Sequence, residues 1–271
     1  MTAAPTVVLE RRRLGRGSAV AGLVTLNRPD QLNPIDADVL AELDRVIDEV
    51  EGDPKVRAVL VTGAGRAFSA GGDLKKYIRL QRDPVAFPRF VGDLHRIFGR
   101  LRTLPVPVVA LVNGVTAAGG LELILNCDLA LVGASARIGD GHLNFGQMGG
   151  GGVLTLLPRR IGRARAAELV LSGRFLDADE AVAWGLASRV VDDDELLDAG
   201  LAFAREVAAK SPLAVANAKQ VMEAIWADNG SVDAGLSLEL ARDVYYCLTS
   251  HDAPEGLAAF AERRPPRFKG R

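Results

Sequence analysis

Cysteine is nearly absent: Cys127 and Cys247 are the only two among 271 residues, and both sit in apolar patterns. Two such residues make no disulfide framework, so a reducing compartment, the cytoplasm, is the expectation. Net charge is nearly absent too. Lys and Arg number 33 against 34 Asp and Glu, a formal net charge of -1, which gives no general reason to expect nucleic acid. The tail ERRPPRFKGR (residues 262–271) is one short basic run in a neutral chain. No stretch approaches the length a membrane span needs, and the first residues, MTAAPTVVLERRRLG, carry no signal-peptide pattern. His95 and His251 lack ligand-spaced partners, so no metal site is implied. What the chain does have is 48% hydrophobic residues, enough to bury one large core with a small appended unit.

Strand and helix patterns alternate along most of the chain. Residues 6–9 and 19–26 read as strands, with the arginines at 11–13 as an exposed basic turn between them. Residues 35–50 form an amphipathic helix on which Val39, Leu40, Leu43, Val46, Ile47 and Val50 share a stripe, with Asp36 as N-cap. Residues 56–61 and PVPVVALV (105–112) read as buried strands, separated by a helical region over 74–102 broken near Pro84 and Pro88. Such alternation predicts an α/β fold with parallel strands and helices packed across them. From about residue 193 strand signals stop. Helices near 193–209, 212–227 and 231–249, then a tail helix, predict a division into 1–192 and a C-terminal helical subdomain, 193–271.

Glycines cluster where strands end. NGVTAAGGLE (113–122) follows a buried strand and places Glu122 just inside a helix start, where unpaired N–H groups favour negative charge. Read as packing alone, Gly119 and Gly120 would be a tight turn against a close neighbour. A second strand, 56–61, runs into a loop holding Gly63, Gly65, Gly71 and Gly72. Two such corners can each give one N–H to a single pocket. Thioester chemistry at the α or β carbon puts negative charge on the carbonyl oxygen, and preorganised donors stabilise that charge most where it develops.

GAGRAFSAGGDLKK and NGVTAAGGLELILNCDLA resemble the two signature segments of the enoyl-CoA hydratase/isomerase (crotonase) family. Further matches run along the chain in order: LNRPDQLNPID, LPRRIGRARAAELVLSG, DADEAVAWGLASRVV, SPLAVANAK and HDAPEGLAAFAERRPPRFKG. The resemblance implies a crotonase-like ββα superhelix with a C-terminal helical trimerisation subdomain. It implies oxyanion donors at Gly72 and Gly119, and Glu122 as the first of two catalytic glutamates. It implies an acyl-CoA thioester as partner and a homotrimer or dimer of trimers, with coenzyme A entering as part of the substrate and no separate cofactor. Coenzyme A or substrate contacts follow for Ala70, Asp73 and Leu74, and, through the phosphates, for Arg28, Arg66, Lys75 and the tail cations Arg263, Arg264 and Lys269. For most of these cations ordinary solvated charge is the competing account, and Asp73 is better suited to be an N-cap than a catalyst.

The second glutamate of the family is missing. With LPRRIG as the fixed point, its position falls on His142, and a shift of one or two residues puts Gly141 or Asp140 there. Hydration of a conjugated enoyl thioester uses two groups that hold one water, and a Glu–His pair can do this, because a neutral imidazole is a base near neutral pH. A Δ3,Δ2 double-bond shift needs one base, and a binding protein that kept only the oxyanion hole needs none. His142 as a surface-turn residue bonded to Asp140 is the structural alternative. His95 and His251 read as ordinary helix residues, with His95 near the acyl pocket a minor alternative. Tyr77, Phe87, Phe90 and Trp226 are the aromatic candidates for that pocket.

Overall fold

In the computed structural model, which describes residues 4–228 and 231–271, the chain builds a spiral from one repeated move. An antiparallel pair, β1 (Val7–Arg13) and β2 (Val20–Leu26), starts it, followed by helix α1 (Ala37–Glu51). Strand β3 (Val56–Gly63) then leads to the short strand β4 (Ala67–Ser69) and helices α2 (Leu74–Leu80) and α3 (Ala86–Thr103). The move repeats as β5 (Val108–Val112), β6 (Val115–Ala117) and α4 (Gly119–Leu125), and again as β7 (Leu129–Gly133), β8 (Arg137–Gly139) and α5 (Val153–Ile161). Each turn thus lays one strand in a large sheet, ordered β1-β2-β3-β5-β7, and one in a small sheet, ordered β4-β6-β8. Pairing within both runs is parallel from β2 and β4 onward. This is the ββα superhelix that the family resemblance implies.

The passage between sheets is tight, and it requires glycine. A Cβ on Gly63 would overlap the Ala67 carbonyl and one on Gly114 the Arg66 carbonyl, so both corners stack backbone against backbone. Asn33 and Asn113 staple these corners. The Asn33 amide donates to the carbonyls of Ala64 at 3.0 Å and Ala67 at 2.8 Å, while Asn113 Oδ1 accepts from the Gly63 N–H at 3.1 Å. Such buried backbone groups would otherwise be orphaned.

After α6 (Arg163–Ser172), β9 (Phe175–Leu176) joins the small sheet antiparallel to β8, and after α7 (Ala178–Ala183), β10 (Arg189–Val191) closes the large one beside β7. Beyond it the regular elements among the described residues are all helices, α8 (Leu196–Ala208), α9 (Pro212–Asp228), α10 (Val232–Thr249) and α11 (Asp252–Ala261), before an irregular tail. The predicted stripe of α1 is buried in full, and the Asp36 side chain caps its start by accepting from the Val39 N–H.

Two expectations are corrected here. Residues 11–13 are not a turn: β1 carries them to its end, paired with β2, because charged side chains suit the solvent-facing edge of a sheet. Pro88 does not break a helix either. It sits in the first turn of α3, where a missing N–H removes no intrahelical bond, so the break occurs near Pro84 alone.

Candidate active site

Successive parallel strands of the small sheet end side by side, and each releases its chain at the same edge. Residues 70–72 follow β4, 118–122 follow β6, and 140–142 follow β8. Neighbouring strands lie about 4.8 Å apart, so three segments remote in sequence meet at the carboxyl ends of strands, the usual ligand crevice of parallel sheets. A cavity of about 470 Å³ opens there. Ala70, Gly72, Leu74, Gly119, Glu122, Asp140 and His142 all line it.

The glycines of the two corners divide by what they do. Gly71 (φ +98°) and Gly120 are demanded by the fold, since a Cβ on Gly71 would lie 2.8 Å from Ala118 Cβ and one on Gly120 would overlap the Ser69 carbonyl. Gly72 and Gly119 are not. Their nearest prospective neighbours are the Ile35 carbonyl at 3.9 Å and Ile35 Cδ1 at 3.5 Å, ordinary contacts, and neither has positive φ. Both border the cavity, where absence of a side chain lets a ligand reach the backbone. Among the described residues neither N–H has an acceptor. The two corners touch: the Cβ position of Gly71 lies 3.6 Å from the Gly119 nitrogen. Between β6 and α4, Ala118 adopts φ 49° and ψ -116°, a sparsely populated conformation that costs on the order of 1–3 kcal/mol. Hydrogen bonds hold it there, from its N–H to the carbonyls of Gly139 at 3.3 Å and Asp140 at 2.8 Å.

Glu122, in the first turn of α4, is 1% exposed. Its Oε1 accepts from the Gly151 N–H at 2.7 Å and the Val153 N–H at 3.4 Å, while Oε2 takes no hydrogen bond from the described residues. Burial is the largest influence on its pKa and raises it above the ordinary carboxylate value, against the pull of His142 and the two backbone donors. Two glycines of the run 149–152, Gly149 and Gly151, lie against this side chain, while a Cβ on Gly150 would meet Val91 and one on Gly152 (φ +108°) would meet Leu156. A Cβ on Gly151 would stand 2.6 Å from Glu122 Oε2, and one on Gly149 would stand 2.9 Å from Oε1 and 3.4 Å from His142 Cε1. That last position also shows that Glu122 and His142 flank one point.

His142 begins a short 3-10 turn and bonds to Asp140 through Nδ1, 2.8 Å from Oδ1. A carboxylate accepts only, so in the neutral ring the proton sits on Nδ1 and Nε2 keeps its lone pair. Burial, the largest single influence, draws the imidazole pKa down. The Asp140 hydrogen bond and the charges of Glu122 and Asp140 outweigh it, and the net shift is upward. Two proton carriers beside two free N–H donors can stabilise an oxyanion while moving a proton on and off the neighbouring carbons.

Tyr77 and Phe90 line the cavity, and Phe87 stands behind Tyr77, edge-on with centroids 5.5 Å apart. Trp226 does not belong to this wall. It lies in another depression with Cys127, Asp128 and Lys219, its ring under the Arg160 guanidinium at 5.9 Å. His95 is exposed on α3, whose cavity-facing residues are Phe90, Val91 and Leu94. Asp73 caps α2 through the N–H groups of Lys75 and Lys76. Arg28 is committed inside the protein, to Asp36 at 2.9 Å and the Pro34 carbonyl at 2.7 Å. Arg264 pairs with Glu255, and the tail folds back on α11 through the N–H groups of Arg267, Lys269 and Gly270. Arg66 and Lys75 are exposed and do not line the cavity. Sequence reasoning missed the grip of Gly149 and Gly151 on Glu122; four consecutive glycines before an apolar helix were the available signal.

Known proteins resemble this chain in sequence and fold. The enoyl-CoA hydratase/isomerase family model matches residues 16–271. A short-chain-enoyl-CoA hydratase of Clostridium acetobutylicum is 32% identical, with 89% of this chain and 91% of that protein covered. The crystal structure of an enoyl-CoA hydratase from Bacillus anthracis superposes with a TM-score of 0.89 at 30% identity, covering 98% of this chain and 100% of that one. One from Mycobacterium smegmatis gives 0.89 at 29%, covering 98% and 99%. With a matching family model over nearly its whole length and the same spiral fold, the chain belongs to the enoyl-CoA hydratase/isomerase family.

Proposed function

We propose that this protein hydrates a trans-2-enoyl-CoA. The carrying observation is that Glu122, buried and gripped by the Gly151 N–H, shares one cavity with the unpaired N–H groups of Gly72 and Gly119. The thioester oxygen binds between those two donors, each worth about 10²- to 10³-fold in rate in comparable oxyanion holes. Glu122 and His142 hold the water together. His142 Nε2 takes the water's proton as its oxygen attacks the β-carbon, and protonated Glu122 delivers a proton to the α-carbon. The raised Glu122 pKa favours its holding the proton it delivers and the raised His142 pKa favours its taking the water's proton, and transfer of that proton from His142 to Glu122 restores the pair for the next turnover. The wall of Tyr77 and Phe90 takes the acyl chain. Coenzyme A enters as part of the substrate and no further cofactor takes part. Its phosphates meet the exposed Lys75 and Arg66, in the cytoplasm.

Mixing the protein with trans-2-butenoyl-CoA is expected to bleach the conjugated thioester absorbance and yield the 3-hydroxyacyl product. Unchanged absorbance, together with conjugated product formed from a 3-enoyl-CoA, would replace this reading with an isomerase that works through one base. Tight binding with no turnover of either would make the protein an acyl-CoA carrier.

Residues 193–271 form the assembly unit in this proposal. On α10, Leu236, Leu240, Val244 and Leu248 recur every fourth residue and are 58%, 65%, 46% and 80% exposed, a stripe that a lone chain leaves in water. We assign it to homotrimer contacts, singly or as a dimer of trimers. Light scattering on the eluting protein should give three or six times 28.7 kDa, and a mass of one chain would refute the assignment.

A further inference from the structure

We infer that Asp140 is the positioning residue of this site, its carboxylate fixing the His142 ring in the tautomer and orientation that let Nε2 exchange a proton with the water. The inference rests on the hydration reading for its kinetic consequences, and on geometry for itself. Asp140 is 1% exposed. Its Oδ1 meets His142 Nδ1 at 2.8 Å, and its Oδ2 is buried with no hydrogen-bond partner among the described residues. The imidazole is therefore the one described side chain that compensates this carboxylate.

A buried charge with a single partner is a poor structural device, because desolvation costs as much as or more than one hydrogen bond returns. It is a good device for holding a ring, as the carboxylate partners of metal-bound and catalytic histidines show. The backbone of the same residue reaches the other half of the site. The Asp140 carbonyl accepts the Ala118 N–H at 2.8 Å, and Ala118 is the strained residue that leads into Gly119. One residue thus registers the proton carrier against the corner that holds the thioester oxygen.

His142 is faced by Asp140 from the segment after β8 and by Glu122 from α4, and beyond Glu122 stands Tyr77 of α2, whose phenol is pushed up by burial and by the Glu122 charge. Removing the Asp140 charge takes away one of the two groups that favour the protonated ring, so the His142 titration should move to lower pH. The same displacement is expected whether the ring enters the rate as base or as acid.

The test uses full-length Asp140→Asn and Asp140→Ala with trans-2-butenoyl-CoA. Asp140→Ala should lose about 100-fold in kcat with KM changed by no more than about twofold, and Asp140→Asn, which keeps an acceptor for Nδ1–H, should recover part of that loss. The pH–rate profile of the Glu122–His142 pair should move to lower pH in both, because the Asp140 charge favours the protonated form of each member, and so should the His142 ring signals in a nitrogen-15 NMR titration, assigned with His142→Gln. Asp140→Asn should melt no lower than wild type. Losses confined to melting temperature, a rise in KM at constant kcat, or an unmoved His142 titration would overturn the inference. If Asp140→Ala does not fold, Asp140→Asn carries the test. If the wild type does not hydrate, the hydration reading fails by itself, and the NMR titration still decides whether Asp140 governs the ring.

Discussion

Glu122→Gln is expected to lower kcat for hydration about a thousandfold while KM hardly changes, within the range that general acid–base groups contribute. Glutamine keeps the shape. Its carbonyl oxygen can still accept from the Gly151 N–H, which Glu122 Oε1 does at 2.7 Å, so the glycine run that grips the side chain stays in place. What disappears is the proton, because a carboxamide neither gives nor takes one near neutral pH. Stability should respond in the opposite sense. Burial raises the Glu122 pKa above 4.5 despite His142 and two backbone donors. A carboxyl with a raised folded-state pKa contributes stability in full below its unfolded value, and that contribution is lost as pH rises through the folded value. Wild type should therefore lose an increment of denaturant resistance between acid and neutral pH that Glu122→Gln does not lose. Parallel pH curves for the two proteins, or a kcat within tenfold of wild type, would remove Glu122 from the mechanism. Glu122 and His142 interact directly, so the rate profile reports the pair rather than either residue.

Much of this site was legible because its chemistry is written in short local patterns. Glu122 three residues after Gly119 is a helix-start arrangement, and buried strands 56–61 and 105–112 show as valine-rich runs. The strands that bring the segments together were not legible. β4, β6 and β8 are three residues each, too short for a period of two to register, and β4 hides in what reads as a glycine loop. Convergence of 70–72, 118–122 and 140–142 follows from parallel pairing between those strands, a non-local fact. Trp226 went astray for the same reason. Aromatic character predicts burial against something, and only the path of α9 decides against what. The roles of neighbouring glycines were equally hidden, since Gly119 and Gly120 look alike until one is found against the Ser69 carbonyl and the other against open cavity.

Lys219→Met is expected to destabilise the protein by about 1–3 kcal/mol, the usual cost of leaving buried hydrogen-bond acceptors unpaired, and to lower its melting temperature by roughly 5 °C. Lys219 is 4% exposed on α9, and its Nζ lies 2.7 Å from Asp128 Oδ2, 3.1 Å from the Leu101 carbonyl and 2.9 Å from the Val106 carbonyl. Those three acceptors belong to three parts of the spiral: the last turn of α3, the approach to β5 and the start of β7. One ammonium group therefore closes a helix C-terminus, whose carbonyls have no intrahelical donors, and pins the helical end of the chain to the core. Methionine fills the volume of the stem but leaves two carbonyls and a carboxylate facing an apolar chain. Asp128 keeps a bond from the Val108 N–H at 2.7 Å, so it cannot simply turn away. The double variant Lys219→Met/Asp128→Asn should recover part of the loss, because it removes the uncompensated charge. None of these atoms borders the cavity, so kcat and KM at temperatures below the transition should match wild type. A drop in kcat without a drop in melting temperature would show instead that α9 reaches the reacting groups and that the anchor is part of the chemistry.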